Sequence, residues 1–330
     1  MGEFELLAKV WERLPPPAPR VKLGSGDDAA VTLPGGATAT SVDAFVEGVH
    51  FRREWSSPAQ IGRKALAAAL SDLAAMGAEP GEAYVALGVP SDLDEDGCLE
   101  LLDGMTALAE ETGTTLAGGD LTRAPALTLA MTAVGHAAAP EDFVSRAGAR
   151  PGDVLAVTGE LGGAAAGLLL LEETSLHSMP DSGTRRRFEL LRSRLLAPRP
   201  RLGAGRALGG GGASAMIDLS DGLGGDAGHV AVQSGVRLAI DATLLPLAEG
   251  LAEVAAAAGR DPLELAVSGG EDYELLVALP PQRFAEAAAA VRRAEGIELT
   301  RVGEVVAGEG VEIKLPDGRL LRPAGYDQLG

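Results

Sequence analysis

Two mixed α/β (α+β) domains, residues 1–145 and 146–330, are what the sequence predicts, and three observations carry that reading. The chain has 330 residues, and at roughly 150 residues per domain that makes about two domains. Expected strands take turns with expected helices in both halves, the pattern of a mixed helix–sheet fold. A Gly/Pro-rich stretch from Arg146 to Asp153 (RAGARPGD) follows an expected strand near the middle and reads as a boundary.

The elements follow in order. Glu3 to Leu14 reads as a short helix, closed by Pro15, Pro16 and Pro17, which cannot continue one. Ala37 to Phe45 reads as a strand. The stretch from Ser57 to Gly77 is the clearest helix: Ser57 can cap it, Pro58 suits its first turn, and Gly77 suits its end. Ala83 to Val89 and Leu127 to His136 read as strands, with a helix from about Asp96 to Thr112 between them. In the second half Val154 to Thr158 reads as a strand, and a Gly/Ala-rich helix begins at Leu161. Leu171 to Arg187 is polar and carries Arg185, Arg186 and Arg187 in a row, which reads as a solvated helix face or mobile loop. Ala213 to Leu219, Val236 to Ile240, Tyr273 to Leu279 and Val311 to Leu315 read as strands, and Phe284 to Ala294 as a helix.

Composition excludes several classes. Lys+Arg 28 against Asp+Glu 47 leaves a net charge of −19, a poor footprint for nucleic acid or an anionic membrane. Hydrophobic residues are 46% and charged residues 23%, which argues against wholesale disorder. Aromatics are only 3%, so the core must be built from Ala, Leu and Val. One cysteine, Cys98, allows neither an internal disulfide nor a Cys-rich zinc site. The segment MGEFELLAKV has no secretory pattern, and no apolar run approaches the roughly 20 residues that span a bilayer. The expectation is a cytoplasmic protein.

The informative feature is a set of Asp residues inside small or apolar segments: Asp27 and Asp28 in GSGDDAAV, Asp43 in TSVDAF, Asp72 in ALSDLAAMGA, Asp120 in LAGGDLTR, and Asp218 and Asp221 in MIDLSDGL. Helical spacing puts Asp72 on a face with Ile61, Ala65, Ala68, Ala69, Leu73 and Met76, with no Lys or Arg three or four residues away. A carboxylate there is costly to bury unless it is paired or holds a metal. Strand alternation sets Ser41 beside Asp43 on one face, and Asp218 and Ser220 repeat the arrangement. Each taken singly would pass as a turn or cap residue; the whole set is harder to dismiss. Oxygen ligands without Cys or clustered His select hard cations, Mg²⁺ foremost, which is held by a few carboxylates plus substrate phosphates. Metal ions between two anions also reconcile an acidic protein with a polyphosphate ligand. Gly118 and Gly119 beside Asp120 would let backbone N–H groups approach phosphate oxygens, with Arg123 and Arg146 as clamps.

Familiar nucleotide signatures are missing: the sequence has no G-x-x-x-x-G-K-[ST] and no H-R-D…D-F-G set. Gly222, Gly224 and Ala227, with Asp241 at close to the Rossmann spacing, imitate a dinucleotide turn. Asp218 and Asp221 crowd its entry, however, and would repel a pyrophosphate that carries no metal.

Taken together, the segments LGSGDDAAV (23–31), SVDAFVEGVHF (41–51), KALAAALSDLAAMGAEP (64–80), LAGGDLTR (116–123), RAGARPGD (146–153), IDLSDGL (217–223), SGGEDYELL (268–276) and GYDQL (325–329) resemble the thiamine-monophosphate kinases, in order and over nearly the whole chain. The resemblance implies a two-domain aminoimidazole ribonucleotide synthetase-like fold, shared with selenophosphate synthetase. It implies a homodimer formed largely by the N-terminal domains, which also bind ATP and Mg²⁺, with the C-terminal domain completing the ATP and substrate site. It implies transfer of the ATP γ-phosphoryl group to thiamine monophosphate. Carried over position by position, the metal ligands would be Asp28, Ser41, Val42, Asp43, Asp72, Asp120, Asp218 and Asp221. Gly119, Asp120, Arg146 and Ser220 would contact ATP, and His50 and Glu271 would contact thiamine monophosphate. K⁺ is left open as a further ion. Val42 stands where relatives often carry Thr; a backbone carbonyl ligand tolerates Val there and a hydroxyl ligand does not. Pro323 and Gln328 replace an aromatic and a His of some relatives. A phosphate-ester acceptor is already largely ionised at neutral pH, so no general base is expected. The competing readings are another ATP-using enzyme of the same superfamily, a dinucleotide-dependent oxidoreductase, and a non-catalytic Mg-nucleotide module.

Overall fold

The computed structural model describes residues 3–25, 29–33, 35–173, 182–322 and 325. Asp27, Asp28, Pro323 and Gln328 lie outside them. The chain divides into two compact units, residues 1–73 with 78–140, and residues 74–77 with 141–330.

The first unit begins with α1 (Glu3–Arg13) and a small antiparallel pair, β1 (Val21–Leu23) and β2 (Val31–Thr32). Next come β3 (Ala37–Val46), α2 (Pro58–Ala75), β4 (Glu79–Val89), α3 (Glu95–Thr112), β5 (Thr115–Arg123) and β6 (Thr128–Ala137). The last four strands form a sheet in the order β3-β6-β4-β5, antiparallel except for the β4–β5 pair. α2 starts at a reciprocal cap: Gln60 N donates to Ser57 Oγ at 3.3 Å and Ser57 N to Gln60 Oε1 at 2.9 Å. It ends at Gly77, whose φ of 67° needs a residue without Cβ. Between its ends the helix is buried on almost every side. Only Arg63, Asp72 and Met76 among residues 61–76 are part-exposed, so the apolar stripe expected from helical spacing is replaced by an apolar cylinder with Asp72 as a break in it.

Such burial needs close backbone approach, and glycine supplies it. A Cβ on Gly104 of α3 would lie 1.9 Å from the carbonyl oxygen of Ala59, and one on Gly62 of α2 would lie 2.1 Å from that of Leu101.

The second unit contains β7 (Val154–Thr158), α4 (Gly163–Glu172), α5 (Ser182–Leu196), α6 (Leu202–Gly210), β8 (Ala215–Asp218), α7 (Leu223–Ser234), β9 (Arg237–Asp241), α8 (Leu251–Ala257), α9 (Pro262–Ser268), β10 (Leu275–Leu279), α10 (Phe284–Glu295), β11 (Leu299–Val306), β12 (Gly310–Lys314) and β13 (Leu320–Leu321). Its sheet runs β13-β12-β9-β11-β7-β10-β8. β7, β8 and β10 are buried at every position, which is why they read as continuous apolar runs and not as alternation. Arg185 and Arg186 lie on the exposed side of α5. No described helix is long and apolar enough to cross a membrane.

Substituting Gly104→Ala should push α2 and α3 apart. A loss of about 1–3 kcal/mol is expected for such overpacking, read as a lower denaturation midpoint at unchanged slope.

Candidate active site

In the first unit, alternation along β3 turns Ser41 and Asp43 toward α2. Ser41 Oγ donates to Asp72 Oδ2, and Asp43 is close enough to Asp72 for the two charges to interact. Burial, with the Asp72 charge adding to it, pushes the Asp43 carboxyl up from 3.8 to about 6. No basic group contributes to that shift. Two carboxylates and a hydroxyl, all hard oxygen donors, are what Mg²⁺ takes while keeping other positions for water or phosphate oxygens. Among the described residues no three His, Cys, Asp or Glu side chains gather where they could hold one metal ion.

The remaining expected residues of this unit are placed apart. Val42 points to the opposite, open face of the sheet, where it is 69% exposed. Asp120 pairs in register with Ala86, which pairs with Ala130 and then Ala44. It therefore also lies on the open face, at the far edge of the sheet, exposed like Gly119. With β6 and β4 between, that edge is roughly 14 Å from β3 along the sheet, at about 4.8 Å per strand. Within one first unit, the structure does not bring Asp120 to Asp43 and Asp72. The Gly-Gly-Asp segment is a strand, β5, to which the sequence reading gave no element. Gly119 is required there because a Cβ would lie 2.2 Å from the carbonyl oxygen of Val85. Among the described strands, β5 is an edge of its sheet.

His50 follows β3. Its Nδ1 accepts from Val46 N at 3.1 Å, and its ring lies 5.2 Å from that of Phe45. An accepting Nδ1 places the proton of the neutral ring on Nε2, which makes that nitrogen a donor. At the same end of the sheet, Arg123 lines a cavity of about 430 Å³ with Arg53, Glu47 and Asp92. Arg53 is clamped there by Glu47 at 2.7 Å and Asp92 at 2.6 Å.

In the second unit, Asp218 ends β8 and is buried. Ser220, Asp221 and Gly222 form the turn into α7. The sequence reading missed the residue that holds this turn. Asp226, buried in the first turn of α7, accepts from Asp221 N and Gly222 N, each at 3.1 Å. Burial and then the charges of Asp218 and Asp221 push the Asp226 carboxyl up to about 8, against the pull of those two N–H groups. The available signal was its place: an acid in a helix's first turn is favoured and can reach back to the turn before it. Asp221 is raised by burial, partly offset by His229 and Arg146. The Arg146 backbone is fixed by Ser234, whose Oγ donates to Arg146 O and accepts from Gly148 N and Ala149 N.

The dinucleotide reading of this turn fails. β8 and β9 are separated in the sheet by β11, β7 and β10, where a dinucleotide fold needs neighbouring parallel strands. The N–H groups of Asp221 and Gly222 are already taken by Asp226, and Asp241 caps its own turn at Thr243 N.

The segment carrying Glu271 packs on the same turn. Glu271 N donates to Ser220 O at 2.8 Å and Tyr273 N to Leu219 O at 2.9 Å. Asp272, pushed up to about 7 chiefly by burial, accepts from Gly162 N and Ala164 N at the start of α4.

The Asp43 shift fixes a pH dependence. Between 3.8 and about 6 the folded chain holds a proton that the unfolded chain has lost. The stability contributed by protonated Asp43 is therefore present at low pH and is lost as pH rises through about 6. In metal-free protein, the melting temperature of Asp43→Asn relative to the wild type should be higher near pH 8 than near pH 4. Parallel melting curves across that range would show that Asp43 ionises normally.

Residues 26–137 match the family model for the N-terminal domain of AIR synthase related proteins, and residues 150–316 match that for the C-terminal domain. The thiamine-monophosphate kinase of Mycobacterium tuberculosis is 40% identical over 280 residues, 84% of this chain and 80% of that protein. That of Escherichia coli K12 is 38% identical over 310 residues, 93% and 91% respectively. A crystal structure of thiamine-monophosphate kinase from Stenotrophomonas maltophilia superposes with a TM-score of 0.81 at 35% identity, covering 96% of each chain. A structure described as AaThiL complexed with AMPPCP and TMP gives a TM-score of 0.77 at 31% identity, over 98% of this chain and 96% of that one. Arranged on the two-domain AIR synthase-like fold and matched to these relatives over most of its length, the chain belongs to the thiamine-monophosphate kinase family.

Proposed function

We propose that this chain transfers the γ-phosphoryl group of ATP to the phosphate of thiamine monophosphate, giving thiamine diphosphate and ADP. The observation that carries the reading is the Asp43–Asp72 pair: two carboxylates brought together by β3 and α2, with no basic side chain shifting Asp43. It stands in a chain whose relatives include a structure complexed with an ATP analogue and TMP.

In this reading Asp28, Ser41, Val42, Asp43, Asp72 and Asp120 of the first unit and Asp218 and Asp221 of the second are the Mg²⁺ ligands, Val42 through its backbone carbonyl. Bound there, Mg²⁺ supplies charge neutralisation between two polyanions. Gly119, Asp120, Arg146 and Ser220 hold ATP, and Asp226 keeps the Ser220–Gly222 turn in shape. His50 offers its Nε2 proton to the acceptor, and Glu271 contacts the same substrate. An oxygen of the acceptor phosphate forms the new P–O bond in line with the β–γ bridge, which breaks and leaves with ADP. That oxygen is already ionised, since a phosphate ester's second pKa is about 6, so no side chain need take a proton. Such chemistry belongs in the cytoplasm, where ATP is abundant.

We also read the enzyme as a homodimer. Asp120 lies across the open sheet face from β3, and that face exposes Val42 and Ala44. A second copy packed there would bring its Asp120 against β3, the strand whose other face carries Asp43.

Two experiments test the reading. Thiamine monophosphate should be phosphorylated and free thiamine should not, because the acceptor's phosphate is the group held among the metals; equal turnover of both would defeat it. Asp72→Asn and Asp120→Asn should each be inactive alone. Mixed and allowed to exchange subunits, they should recover about a quarter of wild-type activity, since half the dimers become mixed and each mixed dimer keeps one intact site. A mixture no more active than its components would place Asp72 and Asp120 in the same subunit's site.

A further inference from the structure

Four consecutive residues, Glu271 to Glu274, follow two glycines that cannot carry a side chain: a Cβ on Gly270 would lie 2.4 Å from Ser220 O, and one on Gly269 would lie 2.5 Å from the Ala165 Cβ. The backbone of the four is unusual. Glu271 has φ 66° and Tyr273 φ 50°, both in the left-handed region that L residues rarely adopt. Something must hold the chain there, and the contacts show what does. Upstream, Asp272 is tied to the start of α4. Downstream, Glu274 is 1% exposed and accepts from Arg201 Nε at 2.8 Å, from Arg201 Nη2, and from Thr158 Oγ1 at 2.7 Å. The Glu274 carbonyl in turn accepts from Leu219 N at 2.8 Å, and Thr158 Oγ1 accepts from Leu275 N at 2.8 Å. Arg201 itself is only 16% exposed and is steadied by Glu295 at 3.5 Å. A two-pronged guanidinium–carboxylate pair fixes direction as well as distance.

We propose that Arg201 is a positioning residue for acceptor use: through its forked pair with buried Glu274 it fixes the left-handed backbone that carries Glu271. The neighbouring Ser220–Gly222 turn keeps a separate anchor in Asp226, so ATP use should be spared. The proposal rests on the reading of Glu271 as an acceptor contact.

Removing Arg201 alone would leave a buried unpaired charge at Glu274 and could unfold the protein. The primary variant is therefore Arg201→Met combined with Glu274→Gln, which removes both charges and keeps the side-chain volume. It is accompanied by Arg201→Lys, which keeps the charge and loses the fork. Two readouts are made on the folded full chain: amide hydrogen exchange over residues 268–276, and KM for thiamine monophosphate and for ATP measured separately. The double variant should exchange faster at Glu271 and Tyr273 and raise the KM for thiamine monophosphate on the order of tenfold. The KM for ATP should stay within about threefold. Arg201→Lys should fall between it and the wild type. A lower melting temperature with both KM values unchanged, equal rises in both, or unchanged exchange would overturn the assignment. A wild-type protein that does not phosphorylate thiamine monophosphate would instead sink the functional reading. The exchange measurement would then still decide whether Arg201 holds the loop.

Discussion

The first unit is organised around holding two half-buried carboxylates against each other. Asp43 arrives on β3 and Asp72 on α2, and no basic side chain shifts Asp43 between them. That arrangement is unfavourable by itself, so the surroundings must enforce it. α2 is enclosed on almost every side, and an all-Ala run, Ala67 to Ala69, lets its neighbours pack close against it. Gly62 and Gly104 bring α3 to within backbone contact of α2. A strained pair supported by an over-determined frame is the usual physical form of a preorganised ion site.

Much of the fold was legible because the residues that punctuate it act locally. Ser57, Pro58 and Gly77 mark both ends of α2 through chemistry that needs no tertiary context. β7, β8 and β10 are buried strands whose apolar runs stand out. β5 and β11 were not recognised, for a shared reason. Each carries a glycine, Gly119 or Gly303, whose Cβ would lie 2.2 Å or 2.0 Å from a carbonyl oxygen of the neighbouring strand. Glycine in a strand reads as a break until the neighbour that demands it is known.

The site was legible residue by residue and illegible as a constellation. Alternation placed Ser41 beside Asp43, and the chain bears that out. Nothing local could reveal that Asp120 sits on the opposite edge and face of the sheet, because strand order is set by long-range pairing. Supporting residues were similarly hidden. Asp226 and Glu274 look like ordinary surface acids in sequence, yet both are almost fully buried and bind backbone or guanidinium groups far more specific than their letters suggest.

Asp226 carries one more consequence. A strand, a glycine-bearing turn and a helix start form the shape by which many proteins cradle a phosphate, with N–H dipoles and the helix's positive end facing the anion. Here those N–H groups face a carboxyl oxygen that the chain itself provides. The turn comes with its hydrogen-bond acceptor built in, so these two amides are already occupied before any anion arrives. A shape that elsewhere attracts anions loses that pull at these two amides through one tethered side chain. Ligand charge at such turns is therefore set by who occupies the amides, and the shape of the backbone alone does not decide it.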